Sequence, residues 1–180
     1  MQPSLIRSTA NSALDLLELR GRGSTEAFLL SWVAWEGLKV RLVVVGLNMQ
    51  GWQVSDVYAG LTDGRVHTNQ NYLALFRTIY GRNPHNVSGV GDTWRQIEEF
   101  REVRNRYVHG TRGAAPAKLE AATLMITERV LDPSWLRGTP IKTEEGMSKL
   151  GDPYRRLVAS RARHRSKASL KEMLVNAVTR

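Results

Sequence analysis

Three polar side chains that could act together lie between Arg104 and Gly110. They are the guanidinium of Arg104, the amide of Asn105 and the imidazole of His109. Successive side chains of a helix are about 100° apart, so Asn105 and His109 share one face, and Arg104 stands one position round from it. We therefore expect the three groups to converge on one small anion.

These groups suit the attack of an RNA 2′-hydroxyl on its own phosphate. That reaction needs a proton acceptor, a proton donor and a cation for the phosphorane, but no metal. We expect His109 to transfer protons, Arg104 to clamp the phosphate, and Asn105 to position His109 or the substrate. A helix C-terminus favours the imidazolium form, which supports a donor role. One histidine is half of an acid–base pair, and two copies of the motif facing each other across a dimer would supply both halves.

The motif is predicted to end a helix that starts at Asp92 or Thr93, with Thr93 and Gln96 spaced as a capping box. Gly110 is the expected C-cap residue, which places His109 in the last turn. An apolar stripe recurs every three or four residues and would dock this helix on a core. Its members are Trp94, Ile97, Phe100, Val103 and Tyr107.

Similar periodicity predicts an all-α fold. The second predicted helix, for which Ser24 or Thr25 is the expected N-cap, is apolar nearly all round, which is typical of a bundle centre or a subunit interface. Gly46, Asn48 and Gly51 are expected to mark a turn after it. The other predicted helices cover Ile6–Leu19, Thr25–Val45, Trp52–Leu61, Asn69–Tyr80 and Lys118–Val130.

The pattern Arg-Asn-x-x-x-His-Gly on a late helix resembles the signature of the HEPN superfamily, whose catalytic members are metal-independent ribonucleases with an Arg-x4-6-His motif. Here four residues separate Arg104 from His109, and Asn105 follows Arg104 as in many members. The second predicted helix is similar to the long core helix of the family, which carries an embedded acidic residue. The residues that carry this second likeness are Trp32, Trp35 and Glu36.

The resemblance covers about residues 24–131. It implies an up-and-down bundle of four to five helices and a homodimer that apposes two motifs and leaves a cyclic phosphate on cleaved RNA. It also implies a toxin-antitoxin or phage-defence role, with an antitoxin or other regulatory protein as a partner. Many HEPN domains instead only bind nucleotides or proteins, so the alternative is a non-catalytic module whose basic tail docks on nucleic acid. A helical DNA-binding regulator is less well supported, because no helix-turn-helix with a basic face is present.

Charge divides the chain into three predicted parts: a helical domain over residues 1–131, a linker over 132–151, and a basic, partly helical extension over 152–180. The whole chain carries 26 Lys and Arg against 17 Asp and Glu, a net charge of +9 that suits nucleic acid. The extension contains eight basic and two acidic residues. The residues predicted to contact RNA are Arg106, Arg155, Arg156, Arg161, Arg163, Arg165 and Lys167.

Simpler roles are open for several of these residues. His109 could only cap the last carbonyls of its helix. Arg104 could pair with Glu99 at the surface, where such a pair contributes little. Glu36 could pair with Lys39 three residues on, or reach Arg104 and orient it. Tyr107 is expected to support the site from the core side of its helix.

The composition limits other functions. The chain has no cysteine, which excludes disulfides and thiolate metal sites, and its histidines lack metal-ligand spacing with acidic residues. We predict no metal and no cofactor. No export signal is apparent at the N-terminus, and charges within the most apolar helix argue against a membrane span, so a cytoplasmic protein is expected.

Overall fold

The computed structural model describes residues 3–63, 69–110, 113–137, 139, 141, 172, 175 and 176. Over these ranges the fold is all-α and contains no β-strand, which confirms the predicted class. No helix within them combines the length and apolarity that crossing a membrane requires. The helices are α1 (Pro3–Arg20), α2 (Thr25–Met49), α3 (Val54–Asp63), α4 (Asn69–Tyr80), α5 (Gly91–Glu98), α6 (Arg101–Val108) and α7 (Pro116–Leu131), with 3-10 turns at Pro84–Asn86 and Pro133–Leu136.

The chain divides into two compact units, and the division falls inside α2. The first unit comprises Met1–Arg41 and Gly89–Arg137, and the second comprises Leu42–Ser88 and Gly138–Arg180. The first unit contains α6 and therefore the whole predicted motif.

The core of the first unit is built on tryptophan side chains. Trp35 of α2 and Trp94 of α5 are fully buried, and their rings meet edge to face with centroids 4.8 Å apart. Such a pair contributes about 0.5–1.5 kcal/mol beyond its buried area. Trp135 lies 6.2 Å from Trp35, and its indole N–H donates to the Arg129 carbonyl. The 3-10 turn that carries Trp135 therefore packs on the core, although the sequence predicted a linker from residue 132.

Helices α1 and α7 of the first unit bury small side chains and hydroxyl groups that are hydrogen-bonded. Helix α1 packs against α7, and Ala10 and Ala13 of α1 are fully buried. On α7, the buried Thr123 hydroxyl donates to the Leu119 carbonyl at 2.8 Å, so it costs little to bury. Ser24 caps the start of α2 by accepting a hydrogen bond from the Ala27 N–H at 3.1 Å, as predicted for Ser24 or Thr25.

In the second unit, Gly46 lies within α2 and does not end it. The predicted turn begins too early, because the helix continues to Met49 and the chain turns at Gly51, with φ of +96°. A Cβ at Gly46 would lie only 2.4 Å from Ile79 Cγ2 and 2.7 Å from the Tyr80 hydroxyl oxygen. That hydroxyl donates to the Leu42 carbonyl at 2.7 Å. The glycine therefore permits a close approach of α4 to α2, and this need for space explains its place in a helix.

The single helix predicted from residue 92 to His109 is also wrong. Helix α5 ends at Glu98 and α6 begins at Arg101, and the Phe100 N–H donates to Ile97, three residues back instead of four. The predicted capping box is absent as well, since α5 begins at Gly91 after Val90 and no side chain caps it. The motif therefore belongs to a separate two-turn helix, whose direction depends on how the α5–α6 junction is held.

Candidate active site

Helix α6 ends at Val108, one residue earlier than predicted. His109 is its C-cap residue, and the His109 N–H donates to the Asn105 carbonyl at 3.0 Å. Gly110 follows with φ of +68°, in the left-handed region that glycine enters without strain. The chain therefore leaves the helix directly after the histidine, which lies exposed at the helix end.

Arg104 and Asn105 form one polar unit. The Arg104 Nη1 donates to Asn105 Oδ1 at 3.0 Å, and both side chains are half-buried. Asn105 was expected to position His109 or the substrate, whereas in the structure its carbonyl oxygen holds the guanidinium. An arginine held in this way loses less side-chain freedom when it binds an anion. In the structure, therefore, the Asn105 side chain orients the Arg104 guanidinium.

Within the described part of the chain, Arg104 forms no ion pair. Neither Glu99 nor Glu36 reaches it. Glu36 Oε1 instead accepts a hydrogen bond from Lys39 Nζ at 2.9 Å, which is the simpler of the two roles that the sequence left open. The guanidinium is therefore not neutralised by a carboxylate among the described residues.

The His109 imidazole has no hydrogen-bond partner in the ranges that the structure describes. A proton-transfer group must reach the proton that it moves, so an exposed imidazole suits that role. In the same helix, Arg106 is exposed and pairs with Glu102 one turn earlier. Its predicted contact with RNA would compete with that surface pair, which is weak.

Tyr107, predicted to support the site, makes contacts through both its ring and its hydroxyl. The ring centroid lies 6.4 Å from that of the buried Phe28 of α2. The hydroxyl oxygen accepts a hydrogen bond from the Ala114 N–H at 3.0 Å and lies 3.5 Å from the Ala114 carbonyl. Tyr107 therefore joins the motif helix to α2 and to the segment that follows the motif.

Sequence reasoning missed a buried charged cluster at the α5–α6 junction. Glu98 Oε1 accepts a hydrogen bond from the Trp35 indole N–H at 3.2 Å and another from Lys39 Nζ at 3.4 Å. The other oxygen, Oε2, lies 3.6 Å from Arg101 Nη1. Lys39 is only 2% exposed and the Glu98 side chain 8%. The cluster ties the end of α5 and the start of α6 to α2, so it fixes the helix that carries the motif.

A signal for this cluster is present in the sequence. Glu98 lies four residues after Trp94, on the apolar face of α5, and Lys39 lies on the nearly all-apolar α2. Opposite charges on two apolar faces indicate a buried pair. Helical spacing alone pairs Lys39 with Glu36, because Glu98 lies 59 residues away in the sequence.

Six predicted RNA contacts lie outside the described residues. They are Arg155, Arg156, Arg161, Arg163, Arg165 and Lys167. Among the residues that are described, no three His, Cys, Asp or Glu side chains form a group that could hold a metal ion.

Comparison with known proteins gives no relative. No protein-family model, curated protein or solved structure matches this chain. The assignment of function therefore depends on the chemistry of Arg104, Asn105 and His109.

Proposed function

We propose that this chain is a metal-independent endoribonuclease of the HEPN type, with an up-and-down arrangement of its helices and a composite site formed by two copies of α6 in a homodimer. A toxin-antitoxin or phage-defence role, under the control of an antitoxin or another regulatory protein, belongs to the same proposal.

The observation that carries the proposal is the arrangement of the motif on α6. Its cation is held by a neighbouring amide at 3.0 Å and meets no carboxylate among the described residues, and its imidazole is exposed one turn later at the helix end. A guanidinium binds phosphate oxygens through several N–H donors, and an imidazole exchanges protons near neutral pH. Both are the groups that RNA cleavage by its own 2′-hydroxyl requires.

In the proposed reaction, one His109 accepts the proton of the 2′-hydroxyl, whose oxygen then attacks the adjacent phosphorus. Arg104 stabilises the charge that develops on the phosphorane oxygens. The bond from phosphorus to the 5′-oxygen breaks, and that oxygen takes a proton from the second copy's His109. The products are a 2′,3′-cyclic phosphate and a 5′-hydroxyl, and atoms and charge balance without a cofactor.

The test is RNA cleavage by purified protein in EDTA, with His109→Ala and Arg104→Ala alongside. We expect the rate to fall by about 10²–10⁴-fold without the imidazole and by about 10²–10³-fold without the guanidinium. Arg95→Ala is a matched control, because Arg95 is an exposed arginine of α5 that pairs with Asp92. It should cleave at a rate close to that of the wild type.

Two results would contradict the proposal. One is intact RNA with the wild-type protein, and the other is equal cleavage by all the variants, which would indicate a contaminating nuclease. Binding of RNA without cleavage would favour a non-catalytic module. Sedimentation of the same samples measures the dimer, and a monomer that cleaves at full rate would exclude a site formed by two copies.

A further inference from the structure

The Tyr107 hydroxyl joins α6 to the loop that precedes α7. Its oxygen accepts a hydrogen bond from the N–H of Ala114, seven residues later, at 3.0 Å, and lies 3.5 Å from the carbonyl of the same residue. His109 and Gly110 lie between these two anchors. The first anchor lies in α6, and the second lies next to Ala115, the N-cap residue of α7.

Gly113 provides the space for this contact. A Cβ at Gly113 would lie 2.3 Å from the Tyr107 hydroxyl oxygen and 2.8 Å from its Cζ. Any other residue there would force either the tyrosine or the loop to move. Unlike Gly110, Gly113 is not required by a positive φ, so the close approach of the tyrosine is what favours glycine at this position.

The tyrosine itself is held from the other side. Its ring lies against Phe28, which is fully buried in α2, with centroids 6.4 Å apart. Phenylalanine at position 107 would keep this ring contact. The hydroxyl adds a hydrogen bond between α6 and the loop, and the packing of the ring does not require a hydroxyl.

We propose that Tyr107 is a positioning residue for His109. Its hydroxyl latches Ala114, with Gly113 giving it room, and this latch limits the conformations of the chain at His109 and Gly110 and hence the directions that the imidazole can take. The proposal depends on the proposed ribonuclease function, because it assigns the latch to the proton-transfer group of that reaction. Since catalysis needs a group held in one geometry, the latch is expected to affect the chemical step more than RNA binding.

The variant that tests the latch is Tyr107→Phe, which removes one oxygen atom and keeps the ring. We expect kcat to fall on the order of tenfold while KM changes by less than about twofold. Exchange of the Ala114 amide hydrogen should become about two- to tenfold faster, as expected for the loss of one hydrogen bond. Gly113→Ala should change both quantities in the same direction by displacing the hydroxyl.

The matched control is Tyr80→Phe in the second unit. The Tyr80 hydroxyl also bonds to a main-chain group, the Leu42 carbonyl, at 2.7 Å. Its loss should leave kcat within about twofold of the wild type. Thermal unfolding of each variant, compared with the wild type, checks that the tyrosine substitutions leave the fold intact.

Two outcomes overturn the latch. One is faster Ala114 exchange in Tyr107→Phe with kcat unchanged, which would show that the loop is held but that catalysis does not need it. The other is unchanged exchange, which would show that the hydroxyl does not hold the loop.

If the wild-type protein cleaves no RNA, the proposed function fails and the latch is tested separately by nuclear magnetic resonance. Movement of the His109 imidazole signals in Tyr107→Phe, with those signals unchanged in Tyr80→Phe, would support it. Imidazole signals that coincide with those of the wild type would overturn it.

Discussion

Loss of Lys39 should destabilise the protein strongly, whereas loss of Lys39 together with the charge of Glu98 should not. Both side chains lie in the core of the first unit, 2% and 8% exposed, with 3.4 Å between Lys39 Nζ and Glu98 Oε1. Removing one member of a buried pair leaves an uncompensated charge, which typically costs about 3–5 kcal/mol. In Lys39→Met, Glu98 keeps only the Trp35 N–H and the longer contact to Arg101. We therefore expect a loss of about 3 kcal/mol in the free energy of unfolding.

The partner substitution should cost less. In Glu98→Gln, the Lys39 ammonium keeps its 2.9 Å bond to Glu36, whose side chain is 46% exposed, so a loss of about 2 kcal/mol is expected. In the double variant, glutamine still accepts the Trp35 indole N–H and no buried charge is left without its partner. The double variant should unfold within about 2 kcal/mol of the wild type, which gives a coupling energy on the order of 3 kcal/mol.

Urea unfolding followed by tryptophan fluorescence measures these energies, because Trp35 and Trp94 lie beside the cluster. Arg20→Met is the control for a solvent-exposed pair, since Arg20 and Glu26 are each 56% exposed and 2.8 Å apart. It should cost less than about 1 kcal/mol. Two results would refute the energetic coupling of Lys39 and Glu98. One is a loss of unfolding free energy in Lys39→Met as small as that of the control, and the other is a loss in the double variant equal to the sum of the two single losses.

Three further predictions concern other parts of the chain. Gly46→Ala should lower the free energy of unfolding by about 1–3 kcal/mol in urea titrations, because its Cβ would lie 2.4 Å from the Ile79 side chain. A gain in stability, as expected for alanine at an open position of a helix, would contradict the close approach of α4 to α2. The Ser134 hydroxyl and N–H both donate to the Asp132 carboxylate and hold its pKa below its ordinary value. The stability that this lowered pKa contributes is present above the ordinary pKa and is lost as pH falls through the lowered one. Ser134→Ala should raise the pKa of Asp132 in a carboxyl-carbon titration, and an unchanged pKa would refute the assignment. Deleting residues 151–180 should weaken RNA binding and flatten its dependence on salt, whereas unchanged affinity at low salt would reject the tail as a phosphate clamp.

The sequence predicted the helices well where the signals are local. Asn69–Tyr80 was predicted with both ends correct, and the end of α6 at His109 and Gly110 follows from the preference of glycine for a positive φ. Ser24 likewise marks the start of α2, because its side chain bonds to an N–H only three residues away.

The features that were missed depend on contacts distant in sequence. The break between α5 and α6 follows Glu98, whose partners Trp35 and Lys39 lie 63 and 59 residues away. The apolar stripe is unchanged across the break, so periodicity alone predicts one continuous helix. At Gly46 the residue type predicts a turn, but its role depends on side chains of α4 that pack against it. In both cases a three-dimensional contact outweighs the local preference.

At the candidate site, the residues could be chosen from the sequence, but their partners could not. The sequence placed Asn105 and His109 on one face, and the structure pairs Asn105 with Arg104 through their side chains. Neighbouring residues on a helix ordinarily point apart, so this bond depends on the length of the arginine side chain, which can fold back. The latch between Tyr107 and Ala114 also requires a return of the chain that helical spacing does not describe.

The measurement that tests the ribonuclease proposal most directly is the chemistry of the cut ends. An RNA oligonucleotide and its 2′-deoxy counterpart would be incubated in EDTA with wild-type protein and with His109→Ala, and the products identified by mass spectrometry. The proposed mechanism predicts 2′,3′-cyclic phosphate ends from RNA with the wild-type protein, no cleavage of the deoxy strand, and a loss of product with the variant. Cleavage of the deoxy strand, products that end in a 3′-hydroxyl, or uncut RNA would contradict attack by the 2′-hydroxyl at this site.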